Sequence, residues 1–265
     1  MITQRTSRRL TETGADRVGL ADAIDICTYL EWDSEFFGKR VARLNRSRLA
    51  GPDILEALAW CAAQRVDCLY FLADADHAET RRLADQNNFL EVDMRLTLAR
   101  PITPDDQQSA LPMDSRVRLA RESDLPLLRG FARTLHHDSR FYFDQRFERS
   151  KCDLLYQTWI EKSCRDHSQT VFVSEVDGQA AGYIACRSNA EETQIGLLGV
   201  AETHARTGLG KALVQRFLSW SAQQGAQRAT VVTQERNIAA RNLYQNCGFL
   251  PATLQRWYHR WFTNH

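Results

Sequence analysis

The sequence predicts a mixed α/β fold laid out in two successive parts. Strand-like and helix-like segments alternate as β-α-β-α-β up to about Leu98, the order that builds a layered α/β unit. Three of the six prolines (Pro101, Pro104 and Pro112) then fall between Pro101 and Asp114, among Asp, Gln and Ser. Each proline lacks a backbone donor and restricts its predecessor, so this stretch reads as a linker. Beyond it the alternation restarts. A chain of 265 residues accommodates two modest domains. The expected division is an N-terminal α/β domain over residues 1–104, a linker at 105–115 and a larger domain over 116–265.

In the first part, Leu30 to Gly38 carries Trp32, Phe36 and Phe37 and reads as an aromatic strand end closed by glycine. Pro52 suits a first helical position before the apolar-periodic run Ile54 to Gln64. Cys68 to Ala73 is a short apolar run bounded by charge, hence a buried strand. His77 to Gln86 is amphipathic, and Phe89 to Leu98 alternates with Leu90, Val92, Met94, Leu96 and Leu98 on one face. In the second part Val117 to Ala120 reads as a strand, Ser123 or Asp124 as the cap of a helix reaching Leu135, and Leu154 to Cys164 as another helix. Asp177-Gly178 between Val171–Val176 and Ala181–Arg187 marks a hairpin. A strand at Ile195–Val200, a long helix at Leu209–Gln224, a strand at Ala229–Thr233 and a short helix at Ile238–Cys247 closed by Gly248 follow. Thr253 to Trp261 is the last strand. No repeat or low-complexity segment is evident in the residue types.

Composition narrows the function. Hydrophobic residues make up 43% and charged residues 25% of the chain, and the net charge is +1. That supports a packed core and gives no basic excess for nucleic acid. Seven cysteines, without CxxC pairs or zinc-type spacing, read as reduced thiols in a cytoplasmic protein and predict no metal site. The apolar runs fall short of the roughly 20 residues a membrane helix needs, and the N-terminus lacks a signal-peptide core.

The informative stretch is Ile195-Gly-Leu-Leu-Gly-Val200, followed by Ala-Glu-Thr-His-Ala205-Arg-Thr-Gly-Leu-Gly210-Lys211. A buried strand passes through a glycine-containing loop into a helix whose first N–H groups are unpaired. Glycine permits close backbone approach, and the helix dipole favours negative charge, so the segment predicts a pyrophosphate cradle. Further on come Asn237-Ile-Ala-Ala-Arg-Asn-Leu-Tyr244 and Gly248-Phe249.

In order and spacing, residues from about 115 to 265 resemble the GNAT superfamily of N-acyltransferases. The resemblance implies an α+β fold with a mixed, mostly antiparallel sheet, and acetyl-CoA as co-substrate. It implies that Leu198, Gly199 and Val200 offer backbone to the pantetheine arm. Arg206, Thr207, Gly208, Leu209, Gly210 and Lys211 would hold the pyrophosphate, and Asn237 would contact the pantetheine region. Tyr244 would stand beside the thioester sulfur as general acid. One departure is Ala205, where the superfamily commonly has Arg or Gln; Arg206 is its neighbouring substitute, and the cradle then rests on backbone amides.

The segments Leu30-Glu-Trp-Asp-Ser-Glu-Phe-Phe-Gly38, Asp138-Ser-Arg-Phe141, Leu155-Tyr-Gln-Thr-Trp-Ile-Glu161 and Gln255-Arg-Trp-Tyr258 look like the TDP-fucosamine acetyltransferase family across nearly the whole chain. That resemblance implies a nucleotide-activated amino sugar, a dTDP-4-amino-4,6-dideoxygalactose acetylated at its 4-amine, and a homodimer. Asp93 best matches the family's carboxylate and is the candidate base. It alternates out of phase with the apolar row, as does Glu91, which remains an alternative, and a solvated strand face beside Arg95 is the competing reading. Arg140 and Phe141 are the candidate contacts to the nucleotide sugar, since arginine suits phosphate and an aromatic ring suits a base or sugar face. Other amine acceptors, or a non-catalytic acyl-CoA-binding module, are the alternative functions.

Overall fold

Among the residues described by the structure (25–108, 116–189 and 191–262 of a computed structural model), ten strands join in one sheet. In chain order they are β1 (Cys27–Tyr29), β2 (Val41–Leu44), β3 (Cys68–Asp74), β4 (Leu90–Pro101), β5 (Val117–Leu119), β6 (Gln169–Val176), β7 (Gln179–Asn189), β8 (Glu192–Val200), β9 (Arg228–Gln234) and β10 (Leu250–Trp261). In space the order is β1-β2-β3-β10-β4-β9-β8-β7-β6-β5. The pairs β2·β3 and β8·β9 are parallel and the rest antiparallel, so the sheet is mixed and mostly antiparallel, as expected. The expected boundary near residue 105 does not interrupt it, because β10 from the end of the chain lies between β3 and β4.

Helices cover both faces. On one lie α2 (Gly51–Ala63), α3 (Ala78–Gln86), α8 (Leu209–Gln223) and α9 (Ile238–Gln245); on the other lie α1 (Glu31–Phe37), α5 (Leu125–Leu135), α6 (Arg140–Phe143) and α7 (Arg149–Arg165). Strand alternation sorts the core accordingly. Leu69 and Phe71 pack with the α2/α3 residues, whereas Cys68 and Tyr70 pack with Leu155 and Phe141. Phe172 and Val231 pack beneath α8, and Val171 and Val173 beneath α5 and α7.

The structure reveals a repeat that the residue types conceal. Adding 160 to the residue numbers of β3 (68–74) gives β9 (228–234), and adding 160 to β4 (90–101) gives β10 (250–261). The helices between them, starting at Ala78 and Ile238, obey the same offset. So do the left-handed residues that end helices: Arg65 (φ 49°) answers Gly225 (φ 74°), and Asn88 (φ 59°) answers Gly248 (φ 83°). Register obeys it too. Asp74 pairs with Gln255 in β3·β10, and Arg95 pairs with Gln234 in β9·β4. The two bulges of β4·β10, at Val92 and at Ala252, are also 160 apart. A pseudo-two-fold axis therefore passes between Arg95 and Gln255, which pair and share a side-chain hydrogen bond of 2.9 Å. The expectation of no repeat is corrected: Leu83/Leu243, Arg81/Arg241 and Phe89/Phe249 are among the few identities, so the periodicity lives in backbone geometry.

Two further expectations change. Leu30 to Gly38 is a helix and not a strand end: Trp32 and Phe36, one turn apart, stack at 5.0 Å, and Gly38 supplies the left-handed cap (φ 64°). The start of the expected linker is also ordered. Pro101 ends β4, Pro104 opens a short helix, α4 (Pro104–Gln108), and the Asp106 carboxylate accepts from the Thr103 N–H at 2.8 Å. Residues 109–115 lie outside the described residues.

Candidate active site

The centre of the site is a separation of two strands. Parallel pairing of β8 and β9 runs from Glu192/Arg228 to Ile195/Val231 and stops there. A bulge at Gly196 against β7 turns β8 away. The gap is a cleft of about 220 Å³ lined by Gly196, Leu197 and Leu198 on one side and Val232, Thr233 and Gln234 on the other. Unpaired backbone groups of both strands edge this gap, a ready surface for an extended polar chain such as a β-alanyl-amide arm. Gly199 is glycine for packing: a Cβ there would lie 2.8 Å from Leu135 Cδ1 and 3.0 Å from Tyr183 Cε1.

At the mouth of the cleft the chain turns through Arg206 (φ 63°) and Gly208 (φ 87°) into α8. The N–H groups of Arg206 through Lys211 meet no acceptor among the described residues, so six donors and the helix dipole converge on one exposed point. Space above them is open at Gly208, and a Cβ at Gly210 would sit 3.3 Å from Leu243 Cδ2. The residues therefore fit a pyrophosphate through backbone alone. The Thr207 hydroxyl donates to the His204 carbonyl at 2.6 Å, and the Leu209 side chain is buried in the core.

Asn237 caps α9, its Oδ1 accepting from the Ala240 N–H at 2.9 Å, and the residue lines the cleft. Two α9 turns later Tyr244 lines the same cleft, its ring edge-on to Phe249 at 6.0 Å. Burial pushes its phenol above the usual range.

Asp93 lies on the sheet face covered by α5–α7. It pairs across the strand with Trp257, whose ring packs in that layer. The bulge at Val92 puts Glu91 on the opposite face, where it accepts two 2.8 Å bonds from Arg256. The expectation that Glu91 and Asp93 share a face is thus corrected, because a bulge shifts alternation by one. The solvated-face reading fails as well: Asp93 is 3% exposed. Its carboxylate accepts from the Met94 N–H at 2.9 Å and faces Arg236 at 3.2 Å. Burial raises its pKa to about 6, against the opposing pull of Arg236 and Arg140.

Arg140 sits in an aromatic box, its guanidinium carbon 4.1 Å from the Tyr70 and Phe141 ring centres and 4.3 Å from that of Trp257. Arg140 Nη1 donates to His259 Nε2 at 2.6 Å, and His259 Nδ1 donates to Asp144 at 2.7 Å. Burial pulls His259 down to about 4, so it stays neutral. Burial alone would raise Asp144, but bonds from His259 and Trp261 outweigh it and hold the carboxylate charged. Phe141 is 4% exposed, stacked on Phe37 and edge-on to Phe147, so it helps build the aromatic core that holds Arg140.

Residues 132–249 match the model of the acetyltransferase (GNAT) family. The chain carries a GNAT acetyltransferase domain. The chain is an acyltransferase enzyme by that domain and by its curated acetyltransferase relative. Over 238 residues, 87% of this chain and 96% of the other, it is 29% identical to the dTDP-fucosamine acetyltransferase of Escherichia coli O6:H1. Its fold resembles a conserved protein of unknown function from Staphylococcus epidermidis, with TM-score 0.64 and 12% identity over 92% of this chain and 94% of that one. It also resembles a GCN5-related N-acetyltransferase from Sphaerobacter thermophilus, with TM-score 0.60 and 13% identity over 89% and 76%.

The GNAT cleft brings together Leu198, Asn237 and Tyr244, with the Arg206–Lys211 amides at its mouth. Asp93 and Arg140 lie on the α5–α7 side, near enough to interact by charge. Sequence reasoning missed Tyr156, Trp159 and Gln234, which line the cleft, and Arg236, which holds Asp93. The spacing of Tyr156 and Trp159 on one helix face was the available signal for the first two. His136 also lines it, neutral because burial pulls it down to about 4, hydrogen-bonded to the Tyr183 hydroxyl at 2.7 Å. Among the described residues no cluster of three or more His, Cys, Asp or Glu could hold a metal, and no helix is long and apolar enough to cross a membrane.

Proposed function

We propose that this enzyme transfers an acetyl group from acetyl-CoA to the 4-amine of a dTDP-4-amino-4,6-dideoxy sugar. The observation that carries the donor is the β8/β9 separation, with six unpaired amides at its mouth and Tyr244 inside it. The support for the acceptor is the 29% identity to a dTDP-fucosamine acetyltransferase over 87% of the chain, including the N-terminal unit that supplies Asp93. The pyrophosphate rests on the Arg206–Lys211 amides, and the pantetheine arm lies along Leu198–Val200 with Asn237 beside it.

The amine attacks the thioester carbonyl directly. Asp93, with a pKa near 6, is ionised at neutral pH yet close enough to it to accept the amine proton directly or through water. The departing thiolate takes its proton from Tyr244. A phenol near 10 donating to a thiolate near 8.5 is uphill by about 2 kcal/mol; burial raises Tyr244 but destabilises the departing thiolate as well, so the gap stays near that size. Product mass spectrometry on a panel of dTDP- and UDP-amino sugars with acetyl-CoA tests the reading. The expected result is one added acetyl on a dTDP-4-amino-4,6-dideoxy sugar; no acetylated nucleotide sugar from any member would overturn it.

A further inference from the structure

Ser139 occupies the N-cap of α6, yet its side chain makes no capping bond. Serine is favoured there because its oxygen accepts an early helix N–H, and that use is absent. The residue is 5% exposed, and Oγ has no hydrogen-bond partner among the described residues. Buried hydroxyls are nearly always paired, so one without a partner, on a cleft wall, marks a group kept for a ligand. Ser139 lines the same cleft as Leu198, Gln234 and Tyr244. The Tyr156 phenol lies beside it, near enough for the Ser139 hydroxyl to ease its ionisation, and Asp138, its neighbour in sequence, interacts by charge with Asp93. The α5–α6 junction thus carries a hydroxyl whose acceptor side is uncommitted to where the donor cleft meets the Asp93 side of the sheet.

We propose that Ser139 Oγ accepts an N–H of the attacking amine and so aims the nitrogen lone pair at the thioester carbon. The inference rests on the amine-acetylation reading above. Of the two N–H groups of the neutral amine, one is held by Ser139 throughout, and the other proton passes to Asp93 as the C–N bond forms. The C–S bond then breaks and the sulfur takes the Tyr244 proton, giving amide and free thiol.

Ser139→Ala is the test, because it removes no helix cap. Acceptor kcat/KM should fall about tenfold or more, with the KM for acetyl-CoA within about twofold of wild type. The unfolding midpoint should stay equal or rise, since an unpaired buried hydroxyl is removed. Unchanged acceptor kcat/KM, or a lowered midpoint, would overturn the proposal, the latter by showing a structural role. A wild-type enzyme that acetylates no nucleotide sugar defeats the sugar reading instead. Ser139→Ala is then judged on a simple primary amine and on the midpoint, with the same two overturning results.

Discussion

The two halves of the pseudo-two-fold repeat share backbone register but differ in what they do with their exposed backbone groups. In the C-terminal unit β8 leaves β9, and six amides before and within the first turn of α8 stay unpaired. In the N-terminal unit the equivalent opening is closed. The Asp74 N–H donates to the Ser47 carbonyl at 2.9 Å, the Leu49 N–H to Thr80 Oγ1 at 2.7 Å, and the Ala50 N–H to Asp53 at 2.7 Å. Leu49 is buried, Ala50 stands where the other unit has Gly210, and Ala84 stands where it has Tyr244. Asp93 likewise answers Thr253 across the axis. One topology can therefore present a binding cleft or consume it, and the choice lies in loop length and in a few side chains that accept N–H groups.

Substitutions at axis-related positions sharpen this contrast. The largest effect is expected at Asp93. Asp93→Asn should lower kcat by about 10²- to 10⁴-fold, whereas Thr253→Ala, at its exposed mate, should leave kcat within about twofold. A pKa raised from 3.8 to about 6 means the folded state holds its proton more tightly than the unfolded one. Stability is therefore lost as pH rises from about 4 to 6, by up to about 3 kcal/mol. Asp93→Asn should remove that loss, so its unfolding midpoint should exceed wild type at pH 7 and converge with it near pH 4; an equal or lower midpoint at pH 7 would contradict the burial argument. In kcat/KM against pH, wild type should rise through an apparent pKa near 6, and the variant should lack that limb.

Tyr244→Phe comes next, lowering kcat by about 10- to 100-fold with little change in the KM for acetyl-CoA; an unchanged kcat excludes the acid role. Gly210→Val should weaken acetyl-CoA binding by about tenfold, because the added atoms meet Leu243 and crowd the amides. Ala50→Val, its mate, should leave that affinity unaltered. The smallest effect is expected at Thr80→Val, which leaves the Leu49 N–H without its acceptor and should cost about 1–3 kcal/mol of stability without changing turnover at saturation. Calorimetry of acetyl-CoA binding checks the Gly210/Ala50 pair, and urea unfolding checks Thr80→Val.

How far the sequence carried follows from which signals are local. The cradle was legible because glycine at a positive φ and a strand–loop–helix order are local facts, and Gly208 and Gly210 announce both. The capping of α9 by Asn237 was not read from the sequence, where Asn237 entered only as a pantetheine contact implied by the family resemblance. The Asp93 environment was only half legible: alternation suggested a face, but the bulge at Val92 changes the phase, and no residue type marks a bulge. Phe141 reads the same in sequence whether it packs on Phe37 or faces a ligand, since only tertiary contacts distinguish the two. The repeat was invisible because Arg65 answers Gly225 and Asn88 answers Gly248, and different residues satisfied the same backbone demand.

The central claim is that only the C-terminal unit retains an acyl-CoA cleft. Isothermal titration of the intact chain with acetyl-CoA tests it most directly, repeated on Gly210→Val. One acetyl-CoA per chain, weakened in the variant, is the predicted result. Two sites per chain, or a single site with undiminished affinity in Gly210→Val, would contradict it.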